Sequence, residues 1–177
     1  MTPLQTLKSI TFAYDRREDR ILAATNAGAP DAWSCWLTRR IVLLLLERAS
    51  GFLANTSTLV RRGTADMRGE LAAFEREAAM ANTAKAMRRT PDDVLKSSGA
   101  TAELVQRLTF SGQGAGFRFE LRGERGGGAD GTLTRAEFQR ILQMLQAETS
   151  KAGWLMAKPP SEVAPPAEQA SPKPFRH

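Results

Sequence analysis

The chain carries one histidine, His177, and one cysteine, Cys35, in 177 residues. A Ser-His-Asp triad, a Cys-His pair and a His- or Cys-based zinc site all need more imidazoles or thiols than that, so those chemistries are set aside. Carboxylate, lysine and tyrosine chemistry stays open in principle, but its candidates read as structure. Asp92-Asp93 sit where a helix N-terminus favours negative charge, and Asp15, Glu18 and Asp19 alternate with arginines as solvated turn charges do. No catalytic residue, no metal and no cofactor is expected.

Arginine doublets are the polar feature with the most chemical reach: Arg16-Arg17, Arg39-Arg40, Arg61-Arg62 and Arg88-Arg89. A guanidinium holds phosphate or carboxylate in a two-point fork, so doublets converging on one surface suit a nucleic-acid backbone or an acidic partner. Composition points the same way, with 25 Lys and Arg against 19 Asp and Glu, a net charge of +6 and a pI near 10.1. Net charge bears on association and not on fold. Few aromatic residues outside the expected core are free to stack on bases, which makes nucleic acid the alternative and not the first reading.

One stretch suggests metal ligation: residues 126–142, GGGADGTLTRAEFQRIL. With Gly131 at position 6, Asp130 falls at 5, Leu133 at 8 and Glu137 at 12, and this half resembles an EF-hand calcium loop. Positions 1 and 3 fall on Gly126 and Gly128, which offer no side-chain oxygen, and the preceding FRFELRG alternates as a strand and not as a helix. The local account is a Gly-rich turn, then a helix with Thr134 as N-cap and Glu137 closing a capping box. Two further Gly-rich stretches lack the rest of a phosphate cradle. GERGGG at 123–128 has no following Lys and Ser/Thr, and SGQGAG at 111–116 leads into a strand, so no helix N-terminus faces an anion.

The elements that would position these residues fall into three parts. LKSITFAY (7–14) alternates Ile10, Phe12 and Tyr14 with small or polar residues as a half-buried strand does; DRREDR turns the chain and RILAATN returns it. AWSCWL (32–37) is either a third short strand or a first helical turn, and a helix follows from Thr38. Residues 64–98 read as a connecting helical arm: Leu71, Phe74 and Ala78 make a narrow apolar stripe, and Thr90, Pro91, Asp92 and Asp93 start a second helix. The last part repeats the first. LTFSGQGAGFRFELRG is again strand, turn and strand, TLTRAEFQRILQMLQAETS is again a helix, and Leu-Thr-Arg recurs at 37–39 and 133–135. In that second helix Phe138, Ile141, Leu142 and Leu145 form one stripe, with Gln139, Arg140, Gln143 and Gln146 outside it.

The expectation is an α+β fold of two β-hairpin–helix units related by internal duplication, forming one antiparallel sheet with both helices on one face. A single domain over 1–157 comprises halves 5–57 and 102–157 and the helical insertion 64–98. A disordered Pro-rich tail, 158–177, follows; it holds six prolines and too little apolar surface to offset its conformational entropy. The longest aliphatic run, Ile41–Leu46, falls far short of the ~20 residues that span a bilayer, and the N-terminus lacks the regions of a secretory signal. A cytoplasmic location is expected.

Ile41–Leu46 is also apolar all round, more than one face on a sheet requires. Either this helix is sandwiched between the sheet and the middle helix, or its outer face meets another chain. The expected function is a non-enzymatic protein-interaction module, an adaptor or accessory subunit of a larger bacterial assembly, whose partner is another protein or a second copy. Its expected partner-binding residues are Trp33, Trp36, Arg39, Arg40, Leu43 and Leu46. The alternative is a basic nucleic-acid-binding protein using Arg16, Arg17, Arg39, Arg40, Arg61, Arg62, Arg88 and Arg89.

Overall fold

Alternating apolar residues become strands wherever the sequence shows them. A computed structural model describes residues 4–57, 62–83, 92–113 and 116–155. The elements run β1 (Gln5–Thr6), β2 (Ile10–Asp15), β3 (Arg20–Thr25), β4 (Trp33–Leu37), α1 (Arg39–Thr56), α2 (Arg68–Thr83), α3 (Asp92–Thr101), β5 (Glu103–Gln113), β6 (Gly116–Gly123), β7 (Gly128–Leu133) and α4 (Arg135–Lys151). The tail 158–177, Arg61, Arg88, Arg89 and the Thr90-Pro91 start signal lie outside the described residues.

The class is α+β, built on a seven-stranded sheet ordered β1-β7-β6-β5-β4-β3-β2. The sheet is mixed and not antiparallel as expected: β4 pairs with β5 in parallel, Cys35 opposite Glu103, and β1 pairs with β7 in parallel. The cause is an extra strand in each unit. AWSCWL is β4 and GADGTL is β7, so each unit is a three-stranded meander followed by a helix, not a hairpin followed by a helix. The chain then leaves β4 and re-enters at β5 through helices, the crossover that parallel neighbours need.

Strand β7 forms against the low strand preference of glycine because other backbone lies against it. A Cβ at Gly131 would stand 2.9 Å from Leu7 Cβ, and one at Gly128 would meet Leu4 and the Leu121 carbonyl. Thr134 then caps α4 in a complete capping box with Glu137, as the spacing predicts.

Both unit helices lie on one face of the sheet, sharing a core. Val42, Leu45 and Ala49 of α1 and Phe138, Ile141 and Leu145 of α4 pack on Phe12, Ile21, Leu37, Phe119 and Leu121. Phe138 stacks on Phe117 with ring centroids 5.1 Å apart, and Phe52 of α1 meets Phe117 edge-on at 5.6 Å. The opposite face is covered at β3–β4 by α3, where Ser34 Oγ donates to Ser98 O at 2.7 Å. Gly99 of that helix faces Trp36, where a Cβ would make an ordinary contact at 3.5 Å. Cys35 is fully buried, and burial, reinforced by Glu103, pushes its thiol far up, so it supplies no thiolate.

Candidate functional site

Three helices, α1, α2 and α4, enclose the most distinctive polar arrangement on the molecule. Arg135, the first residue of α4, donates from Nη2 to Leu53 O at 2.6 Å and from Nη1 to Thr56 Oγ1 at 3.1 Å. Leu53 O, in the last turn of α1, also accepts from Ser57 N at 3.0 Å, so the guanidinium is a second, charged donor to it. The same Nη2 reaches Glu75 Oε2 at 3.2 Å, and Ser57 Oγ donates to Glu75 Oε1 at 2.7 Å. One arginine thus ties the end of α1, the start of α4 and the middle of α2. Since α4 begins where α1 ends, the two helices run antiparallel. Between the three helices lies a cavity of about 160 Å³, its apolar lining including Leu46, Leu53, Leu142 and Leu155 and its polar lining Gln139, Gln143 and Gln146.

This arrangement corrects three sequence expectations. The middle helix is no mere connecting arm, because α2 packs against α4. Gln139, expected outside, is consequently only 9 % exposed. The apolar stripe of α2 is also turned. Glu75 is drawn inward by Arg135 and Ser57, and Ala72 comes with it to line the cavity, which rolls Phe74 and Ala78 outward. Phe74 is 64 % exposed and Met67 50 %. Leu71 N donates to Met67 O at 3.0 Å, so the helical path extends back through Met67. Met67, Leu71, Phe74 and Ala78 then follow a 4-3-4 spacing, the seam that packs lengthwise on another helix. Met67, Phe74 and Ala78 are exposed, with the half-buried Leu71 between them.

The residues expected to bind a partner do not share one surface. Trp33 and Trp36 point to opposite faces of β4: Trp33 Nε1 donates to Glu103 Oε1 at 2.6 Å, and Trp36 lies beneath α3. Leu43 packs half-buried on the core and Leu46 lines the cavity, while Arg39 and Arg40 are exposed at the start of α1.

Two of the arginine doublets do come together. Asp15 pairs with Arg20 across the β2–β3 turn and Ile21 pairs with Leu37, which brings the turn to the start of α1. Arg16, Arg17, Arg39 and Arg40 are all exposed there, and none of them forms an ion pair with a described residue. The first turn of α1 holds no acid, so its positive dipole end adds to theirs. The local acids are otherwise engaged. Asp15 accepts from the Arg17 and Glu18 backbone, and Asp19 Oδ1 accepts from Trp154 Nε1 at 3.0 Å and Tyr14 Oη at 2.9 Å. Arg62, also exposed, follows the opposite end of α1.

The indole of Trp154, then the Tyr14 hydroxyl, hold the Asp19 carboxyl below its ordinary value. A carboxyl depressed in the fold contributes stability above the unfolded-state value and loses it as pH falls through the folded one. Acidification below the ordinary aspartate range is therefore expected to release Trp154 from the turn. A tryptophan-fluorescence titration should show this acid step in the wild type and lack it in Asp19→Asn.

The Gly-rich stretch 123–128 does hold a carboxylate, but it belongs to the chain. Glu103 is 6 % exposed and accepts from Trp33 Nε1 and from Arg125 N at 2.6 Å. A Cβ at Gly123 or Gly127 would fall on its carboxyl group, so the glycines exist to admit it. Comparison with known protein families, with curated proteins and with solved structures gives no match.

Proposed function

We propose that this chain is a non-enzymatic protein-interaction module, an adaptor or accessory subunit of a larger bacterial assembly, working in the cytoplasm. The observation that supports it is the Met67–Leu71–Phe74–Ala78 row, in which Met67, Phe74 and Ala78 are exposed and Leu71 is half-buried, while its helix's glutamate is turned in. Its chemistry suits an amphipathic helix from a partner protein, laid along α2 with anchors at positions four and three apart. Among the described residues no helix is long and apolar enough to cross a membrane. The same reading takes the two βββα units as copies of one ancestral element within a single domain over 1–157. In support, Leu37-Thr38-Arg39 and Leu133-Thr134-Arg135 each supply a strand end, an N-cap and a first helical residue.

Phe74→Asp tests the seam. An exposed side chain away from the core should change stability by no more than about 0.5 kcal/mol, so thermal unfolding should be unaltered while partner association is lost. Association that survives this substitution, and Met67→Asp as well, counts against the seam.

A second reading, a basic nucleic-acid-binding protein, is favoured by the meeting of Arg16-Arg17 with Arg39-Arg40 beside the α1 N-terminus. On this reading a fluorescence-anisotropy titration with labelled DNA or RNA gives affinity that falls with salt. Replacing all four arginines by alanine should flatten the log–log salt slope by roughly 0.9 for each phosphate contact removed from a duplex. An unchanged slope would remove these arginines from the contact, and absence of binding at low salt would remove the reading.

A further inference from the structure

Beside the α2 seam stands a row of acids without an ion pair to any described residue. In heptad terms Leu71 and Ala78 are a residues and Met67 and Phe74 are d residues, which puts Glu70 and Glu77 both at g, seven apart. Asp66 lies one turn ahead of Glu70 on the same side. All three are exposed. Asp66 and Glu70 stand at the start of α2, where the helix dipole favours negative charge; Glu77 is two turns further along and draws nothing from it.

The other flank of the seam is turned toward the molecule's own groups. Glu75, at e, is held by Arg135 and Ser57, and Arg68, the other e residue, donates from Nε to Gly63 O at 3.4 Å. Ala72, next to that flank, lines the cavity shared with α1 and α4. Glu70 and Glu77 therefore stand on the solvent side of the seam, where the flank of a second helix would lie. In paired helices the e and g residues beside the apolar seam select the partner by charge.

We infer that the helix packing on this seam is a basic amphipathic one from another protein, with apolar residues at heptad spacing and lysine or arginine beside them to meet Glu70 and Glu77. The inference rests on the reading of Met67, Leu71, Phe74 and Ala78 as a helix-binding seam and adds the charge of the partner. At helical rise the seam is about 16 Å long, so two heptads of the partner cover it and meet both glutamates in one register. An acidic helix, or the phosphates of a nucleic acid, would be repelled there. In a chain of net charge +6 this surface thus has the opposite sign to the cluster of Arg16, Arg17, Arg39 and Arg40 at the start of α1.

The test titrates the full chain with two synthetic helical peptides of three heptads, read by fluorescence anisotropy. Both carry leucine at a and d; one has lysine at e and g, the other glutamate, and these like charges oppose self-pairing of either peptide. At low salt the lysine peptide should bind about tenfold tighter, and the difference should shrink as salt is added. The net charge of +6 acts the other way, so a preference for lysine reports the local acids. Glu70→Lys/Glu77→Lys should invert the preference with the melting temperature unaltered, and Phe74→Asp should abolish binding of both peptides. Equal affinity for the two peptides, or a preference that charge reversal leaves unchanged, overturns the basic partner and leaves the seam standing. Failure of both peptides to bind, or binding that Phe74→Asp does not weaken, overturns the seam and the inference with it. Self-association of the peptide-free protein that Glu70→Lys/Glu77→Lys removes, read by sedimentation equilibrium, overturns a foreign partner. It would give the seam to a second copy, whose α1 exposes Arg40, Leu44 and Arg48.

Discussion

Gly127→Ala is expected to lower stability by about 3 kcal/mol or more, a loss seldom reached by adding one methyl group. The added Cβ falls on Glu103 Oε1 and stands 2.5 Å from Trp33 Nε1, so it cannot be placed without parting these two groups. Their hydrogen bond is partly buried, and Arg125 N depends on the same carboxyl group. The carboxyl group cannot yield readily into solvent, since Glu103 is 6 % exposed and sits opposite Cys35 in the parallel β4–β5 pairing. For a chain of this length the melting temperature should fall by roughly 10 °C. Glu103→Ala alone should also destabilise, because the indole and the amide lose their acceptor. In Gly127→Ala/Glu103→Ala the clash and the carboxyl group vanish together, so the combined loss should be smaller than the sum of the single losses. Strict additivity by thermal or urea unfolding would show that the glycine does not exist to admit Glu103.

The second large effect is expected from Arg135→Met, which keeps length and apolar contact but removes the donors to Leu53 O, Thr56 and Glu75. Arg135 and Glu75 side chains are 26 % and 21 % exposed, so solvent screens their attraction and the ion pair itself counts for little. The carbonyl at the end of α1 and the glutamate drawn in from α2 each keep a bond from Ser57 but lose their charged donor, and about 2 kcal/mol is expected. The loss should also be local. Hydrogen exchange should rise in α2 and in the last turn of α1 and stay unchanged in β2, β3 and β6. A uniform rise across the sheet would mean that Arg135 does not act as a tie among the three helices.

How far the sequence could be read depended on whether the deciding interaction was local. The Thr134–Glu137 capping box is four residues long and was legible as such. Strands β2, β3 and β6 announce themselves by alternation, because one face is buried and the other is not. Strand β7 hides behind three glycines: what makes it a strand is the chain of Leu4 and Leu7 lying against it, more than a hundred residues away. The mixed sheet was missed for the same reason, since one unrecognised strand changes the direction in which the next unit is entered.

The candidate sites follow the same rule. The 4-3-4 spacing of Met67, Leu71, Phe74 and Ala78 lies in the sequence, and ordinarily it would mean the buried side of a helix. Met67, Phe74 and Ala78 face outward, with Leu71 half-buried, because Glu75 is held by Ser57 and Arg135, two contacts with no local signal. Leu-Thr-Arg appears twice, yet Arg39 is exposed and Arg135 is a half-buried tie, so the repeat locates both residues and distinguishes neither. Convergence of Arg16-Arg17 with Arg39-Arg40 depends on the β2–β3–β4 register, which the spacing of doublets does not encode.

The central claim is that the outward seam of α2 meets a protein helix. The most direct measurement places p-benzoylphenylalanine at Phe74 in the full chain, in the cells that make it, with Thr109 on the open sheet face as the control position. Irradiation is expected to give one discrete protein adduct from position 74, none from 109, and none from 74 when Met67→Asp is added. Equal adducts from both positions, or none from 74, would contradict the account and leave the seam an exposed edge without a partner.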